Sequence, residues 1–386
     1  MIDACFSRVS SLTLGLLIAW ASPGNAAVLV VPTQYSTIAS AVAAAAPGST
    51  IRVLAGSYAE QIVIDKPLKL IGAGRANTSL RAPAILAPST FGDTSIVEVV
   101  GNVRVTISGL SIAGPGPGTC GSLGVGIHVL GGASLELRDA AVRHIRDEPM
   151  STCFPSGAGV VVGLPPFIGG GSEGHATLQN VLIDDFQFAG VSVDGAASTL
   201  RIVGSRIAGA GFADGIDVVF GADATIIGND ISNNFNGIFI QAGSTARIEG
   251  NRIRQNRCAA PFPCGADPFT EFQFSGVTLA GGGSGVTVRL NDFSDNDAAI
   301  SSFSGTGDAI LTFNAFRNNL FGALVWDGSE TLAYSAILSG GVGVGVVAAS
   351  ADSEATLDHV LIGPMTDAPT REYSCCGHTT TVVVVP

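Results

Sequence analysis

The chain has 386 residues, of which 46% are hydrophobic and only 13% charged, with a net charge of −12 at pH 7 and a mean hydropathy of +0.44. Lys66 and Lys69 are its only lysines, and so negative a field argues against a nucleic-acid partner. Beyond the N-terminus no apolar run reaches the roughly 18 residues of a membrane span, so the high hydropathy points instead to a long dry interior.

Residues 1–26 read as a secretory signal: an apolar core over 12–21, then Gly24, Asn25 and Ala26, with small residues at −3 and −1 of a cleavage site. No cysteine stands where a lipid anchor needs one, so a secreted, periplasmic or cell-surface chain is expected. A first strand is predicted over 28–31. A small-residue helix follows over about 37–46, capped by Ser36 and stopped by Pro47-Gly48. Its apolar face (Ile38, Ala41, Val42, Ala45) would close one end of a stack of strands that otherwise exposes unpaired edges.

From Gly101 onward one phrase recurs. A glycine followed by alternating aliphatics appears as Gly126-Ile127-His128-Val129, Gly159-Val160-Val161-Val162, Gly190-Val191-Ser192-Val193, Gly215-Ile216-Asp217-Val218 and Gly237-Ile238-Phe239-Ile240. A polar turn residue recurs beside it at Asn180, Ser205, Asn229, Asn251, Asn291, Asn314, Ser335 and His359. Asn229 to Asn251 is 22 residues and Asn291 to Asn314 is 23. That period marks a solenoid whose repeats bury their apolar sides only against their neighbours. Period-2 alternation rich in Val, Ile and Thr, with no helical stretch of ten residues in any repeat, makes each repeat three short strands. The fold expected is all-β: a single-stranded right-handed parallel β-helix of about eleven rungs, roughly 50 Å long at about 4.8 Å per rung, with a short N-terminal capping helix. The recurrent Asn is expected to tolerate a left-handed turn and to hydrogen-bond between rungs. The divisions expected are a signal at 1–26, cap and first rungs at 27–100, repeats at 101–365 and a C-terminal tail or cap at 366–386.

Six cysteines remain after Cys5 leaves with the signal, an even number suited to disulfides. Cys120 and Cys153 each lie six residues before a strand glycine, which stacks them on consecutive rungs within disulfide reach and predicts a bond. Cys258 and Cys264 share one loop, and Cys375 and Cys376 are adjacent; these are the other candidate disulfide cysteines. Zinc is disfavoured by the lack of His or further Cys near 258–264.

The stretches 50–60 and 64–72 (Thr50-Ile51-Arg52-Val53-Leu54-Ala55-Gly56-Ser57-Tyr58-Ala59-Glu60, then Ile64-Asp65-Lys66-Pro67-Leu68-Lys69-Leu70-Ile71-Gly72) resemble the entry segment of pectin-lyase-like β-helix proteins. That superfamily includes pectin methylesterases, polygalacturonases and periplasmic accessory proteins of nitrous-oxide reductase. The resemblance implies a cleft on the Gly-Ile-x-Val strand face. Insertions at 113–123, 146–158 and 255–275 precede that strand and one at 163–175 follows it, so an open trough is expected over 186–250.

The floor of that trough would carry outward-pointing Ser192, Asp194, Asp217, Phe239 and Gln241, with Asp214 at the strand entrance. Asp194 and Asp217 sit diagonally on adjacent rungs, roughly 7–8 Å apart or less, workable for acid/base roles. Ala213-Asp214-Gly215-Ile216-Asp217 resembles the polygalacturonase Asn-Thr-Asp-Gly signature, but the Asp-Asp pair and Gly-His-Gly of that family are absent. Ile216-Asp217-Val218-Val219-Phe220-Gly221 resembles the pectin methylesterase stretch with its nucleophilic Asp, without that family's neighbouring Gln or later Arg-Pro-Trp. Phe239, Phe303 and Trp326 share one outward column where sugar rings could stack. His128 reads as a surface histidine, and the basic group Arg247, Arg252, Arg254 and Arg257 as a turn face or an anion site. Asp184-Asp185 and Asp292, Asp295 and Asp297 offer oxygen ligands to Ca²⁺ but match no dedicated calcium loop, so solvated turns are the expectation and no cofactor is implied. Three readings follow: a polysaccharide-binding rod, a lyase, hydrolase or esterase acting through Asp194 and Asp217, or a structural or adhesive surface rod.

Overall fold

The computed structural model describes residues 26–89, 92–118, 120–150, 156–210, 213–259, 262–281 and 283–386. Its strands form three parallel sheets of 14, 12 and 12 strands, slightly more rungs than the period alone suggested. The first sheet runs from Val28–Val31 to Thr380–Val385. The second carries the Gly-Ile-x-Val strands, from Ile62–Ile64 to Met365–Ser374. The third holds short strands, from Gly56–Ala59 to Leu361–Ile362. Each strand pairs in parallel with its equivalent one repeat away, as Ile216 does with Val191 and Ile238. Residues 366–386, expected as a tail or cap, supply the last strands of the first two sheets.

The recurrent glycine has a steric cause. A Cβ on Gly190 would lie 2.6 Å from the Gly215 carbonyl oxygen, and one on Gly215 would lie 2.4 Å from that of Gly237. These rungs therefore pass too close to the next at this point for a side chain, whereas the column carries Ile96 and Ala299 on two other rungs. Inside, Val191, Val193, Ile216, Val218, Ile238 and Ile240 are fully buried, the alternation the sequence predicted.

The asparagines do only half of what was expected. Asn251 Oδ1 accepts from the backbone N–H of Asn229 at 2.8 Å and from its Nδ2 at 3.0 Å. Asn251 Nδ2 in turn donates to the Ile226 carbonyl (2.9 Å) and to Asn291 Oδ1 (3.0 Å). The left-handed residue is the one before: Gly204, Gly228, Gly250, Leu290, Phe313 and Tyr334 all have φ between 47° and 65°. Asn180 (φ 53°) and His359 (φ 52°) occupy that left-handed place and stand outside the ladder. A second ladder, Asn234, Asn256, Asn296 and Asn319, stacks at another turn in the same way.

The helix spans Ile38–Ala44, and its cap is Thr37 in a capping box with Ser40, one residue later than the Ser36 expected. The Glu60 carboxylate accepts from the N–H groups of Ile38 (3.0 Å) and Ala39 (2.8 Å), placing an anion at the positive end of the helix. No helix among the described residues is long and apolar enough to cross a membrane.

Candidate functional site

The aromatics and the carboxylates lie along the outer face of the second sheet, but Phe239 does not share the column expected. Its register runs through Thr278 and Ser301 to Leu324, whereas Trp326 pairs with Phe303, in line with Ala280 and Gln241. Phe239, Phe303 and Trp326, from the strands Ile238–Gln241, Ala298–Phe303 and Asn319–Trp326, line one cavity of about 540 Å³. Phe303 and Trp326 lie ring to ring at 5.8 Å, and Phe269 meets Trp326 edge-on at 6.1 Å. Phe269 belongs to the 255–275 insertion, whose Glu271, Phe272, Gln273 and Phe274 form the opposite wall. Cys258 and Cys264, bonded to each other, close a loop at the base of that insertion.

The cavity is displaced from the trough expected over 186–250. Asp194 and Asp217 keep only 8% and 7% of their surface and Ser192 5%, so this part of the predicted floor is buried, while Phe239 and Gln241 are only half-buried. One cause is the 163–175 insertion, a hairpin bridging Leu164 to Ser172, which packs Phe167 against Phe220 at the end of the Asp214–Val219 strand. A Cβ on Gly163 would touch the Asp194 carbonyl at 2.2 Å, so the base of that hairpin lies directly on the Asp194 rung. Gln241 lines no part of the cavity and accepts from the Phe220 N–H at 2.9 Å.

Burial sets the electrostatics. Desolvation pushes the Asp194 carboxyl up to about 6, against the hydrogen bond from Ser192 and the charge of His128. Asp217 is pushed well above the usual carboxylate range by burial first, then by the neighbouring Asp214 and Asp194. Its proton bridges to Asp214, and its Oδ1 has no partner among the described residues. Asp214 is raised by burial, while Asn236 holds its charged form through the backbone N–H and Nδ2, each 3.0 Å from Oδ1. Asn236 Oδ1 accepts from Thr278 Oγ1 at 2.7 Å, and both Asn236 and Thr278 line the aromatic cavity. A hydrogen-bonded path thus joins the buried acid pair to the groove. Nothing in the residue pattern marked Asn236 or Thr278 beforehand.

His128, expected at the surface, is 2% exposed and bonded through Nδ1 to Asp93 Oδ2 at 2.7 Å, with Nε2 3.3 Å from the Gly163 carbonyl. Burial alone would raise Asp93, but the hydrogen bond and charge of His128 outweigh it and hold it low. Glu98, across the ladder from His128, is 4% exposed and raised mainly by burial. Of the acidic sets considered for Ca²⁺, Asp184 pairs with Arg143, Asp185 with His144 and Arg146, Asp292 with Arg317 and Asp295 with Arg257, while Asp297 accepts from the backbone N–H groups of Cys258 and Phe274 at 2.5 and 3.2 Å.

Cys120 is disulfide-bonded, and its expected partner Cys153 lies outside the described residues. Cys375 and Cys376, grouped with the disulfide cysteines, are instead both free thiols, with sulfurs 2.9 Å apart. As chain neighbours in the turn between two last-rung strands, they have no other cysteine across from them.

No curated protein sequence matches the chain. Among solved structures, the periplasmic alginate epimerase AlgG superposes with a TM-score of 0.53 at 13% identity, over 88% of this chain and 77% of that one. The catalytic domain of a GH87 alpha-1,3-glucanase gives 0.55 at 13% identity, over 87% of this chain and 64% of that one. At such identities the likeness is one of fold. The model of the right handed beta helix region matches residues 167–359, half of the sequence. With that match and three stacked parallel sheets, the chain belongs to the right-handed β-helix family.

Proposed function

We propose that the protein is exported and binds a polysaccharide in the groove between the second sheet and the 255–275 insertion. The observation that carries this reading is the cavity of about 540 Å³ on which Phe239, Phe269, Phe303 and Trp326 converge beside polar Asn236, Thr278, Gln273 and Glu271. Aromatic faces take the apolar faces of sugar rings, and a few polar groups fix orientation. The names of the two similar structures, an alginate epimerase and a glucanase, fit a glycan partner.

A second reading, chemistry on that glycan, is favoured by one feature: a carboxyl pair sharing a proton, with one oxygen of Asp217 buried and unpartnered. In this reading Asp217 is the proton donor, and Asp194, about 6, is the group that exchanges protons near neutrality. A glycan-array screen run with reducing-sugar and unsaturated-product assays tests both. Binding should be lost in Trp326→Ala, and turnover, where found, in Asp217→Asn with the melting temperature held. A chain that binds no glycan on the array leaves the structural rod as the better account.

A further inference from the structure

A second binding surface lies on the first sheet, on a different face from the groove. Two rows of side chains run straight along the rod there. One reads Arg104, Ser134, His175, Thr199 and Asp223 in successive register, and beside it stand Thr106, Glu136, Thr177, Arg201 and Thr225. All of these but Thr106 line a shallow cavity of about 380 Å³, in which hydroxyl side chains alternate with Arg104, His175 and Arg201 and with the carboxylates Glu136 and Asp223.

Arg104 and Arg201 hold no partner, as is also so of Arg52, Arg81, Arg206 and Arg252 among the described residues, but they are the two that line one cavity together. Nine other arginines in this acidic chain hold a carboxylate: 138, 143, 146, 247, 254, 257, 289, 317 and 371. Among the described residues Arg104 and Arg201 make no ion pair and no side-chain hydrogen bond, and both are exposed. The two acidic groups at the cavity are already engaged. Glu136 is held by Arg138 and Thr106, and Asp223 accepts from Thr245 Oγ1 at 2.6 Å. Of the basic group singled out in the sequence, Arg247, Arg254 and Arg257 are paired and only Arg252 is left without a carboxylate among the described residues, so it offers no pair of free guanidinium groups.

We infer that this face binds an acidic polysaccharide, one with carboxylates on its sugar rings, laid along the rod axis. Arg104 and Arg201 stand three rungs apart, about 14 Å at the rise of a parallel sheet, so they reach charged groups on separated sugars of one chain. Each guanidinium offers a two-pronged donor set that matches a carboxylate. Ser134, Thr177, Thr199 and Thr225 lie between or beside them with hydroxyls for sugar hydroxyls. Among the described residues no Phe, Tyr or Trp lines this cavity for nucleic-acid bases to stack on, whereas hydroxyl side chains stand beside the arginines, as a carboxylated sugar requires. This inference stands apart from the proposed groove, since no residue is shared between the two.

The test is titration of the full chain with polygalacturonate, neutral dextran and single-stranded DNA. Polygalacturonate should bind and be released by about 0.5 M salt, which screens exposed charges. The double variant Arg104→Gln/Arg201→Gln should lose about tenfold or more in affinity at an unchanged melting temperature, since both charge-assisted pairs are gone. Trp326→Ala should leave this binding intact, which separates it from the groove. Equal binding of dextran or DNA, an unaltered affinity in the double variant, or loss only in Trp326→Ala would each overturn the inference.

Discussion

At the residue scale, the carboxyls withdrawn from water give the most direct handles. Glu330 points into the rod interior, 4% exposed, with Oε1 accepting from Ser302 Oγ at 2.8 Å and Oε2 without a partner among the described residues. Burial raises it from 4.5 to about 7. A carboxyl raised on folding keeps its proton longer in the native state, so its share of stability is full below about 4.5 and is lost as pH rises to 7. The shift corresponds to about 3 kcal/mol, at 1.36 kcal/mol per pH unit. Glu330→Gln should therefore melt higher than the parent at pH 8 and about equally at pH 4, read by thermal denaturation across pH. A parent whose stability rises over that range with no difference from the variant would refute this account of Glu330. The same residue scale shows where sequence reading stops. His128 passed for a surface residue because its partner, Asp93, is 35 residues earlier, just before the Ser95–Val100 strand.

Among the elements, the repeat was legible because sterics and hydrogen bonding act at every rung. The glycine column reports the carbonyl of the next rung, and Gly215→Ala should cost about 1–3 kcal/mol by forcing that contact apart. Asn251 satisfies a backbone N–H, a backbone carbonyl and two neighbouring amides. Replacing it with Ala leaves buried groups unpaired and should cost about 2–3 kcal/mol in denaturant unfolding. A loss below a few tenths would mean that the ladder is decorative. The left-handed residue was misread by one position because Gly, Leu, Phe and Tyr fill it without any common chemistry. The insertions behave differently, since their contacts are not periodic. Cys258→Ser should weaken glycan binding in the groove while leaving rod melting near the parent value, because the staple it breaks lies in the wall and not in the sheets. A large fall in melting temperature with binding kept would reverse that assignment.

For the whole molecule, period and alternation sufficed to give the three-sheet rod, and a small-residue stretch stopped by Pro47-Gly48 gave its capping helix, while the aromatics, which do not repeat, fell on two columns and not one. The placement of the open groove did not follow. Asp194 and Asp217 point outward as their parity requires, yet both are buried, the 163–175 hairpin leaves from the rung that pairs with Asp194, and the opening falls beside the 255–275 insertion instead. Which insertion covers and which one walls is decided by loop paths that carry no repeat. The resulting molecule carries two cavities along one rod, an aromatic one on the second sheet and one with two unpaired arginines on the first. Trp326 makes the central claim directly measurable, because the chain has two tryptophans and the other, Trp20, lies in the expected signal segment. In a chain begun at residue 27, the intrinsic fluorescence is that of the groove alone. Titration with oligosaccharides of the glycan found by the array should shift or quench that emission with saturation, and Phe239→Ala should weaken the response. Emission that stays constant while the same glycan is bound, as followed by calorimetry, would contradict the placement of the site in the groove.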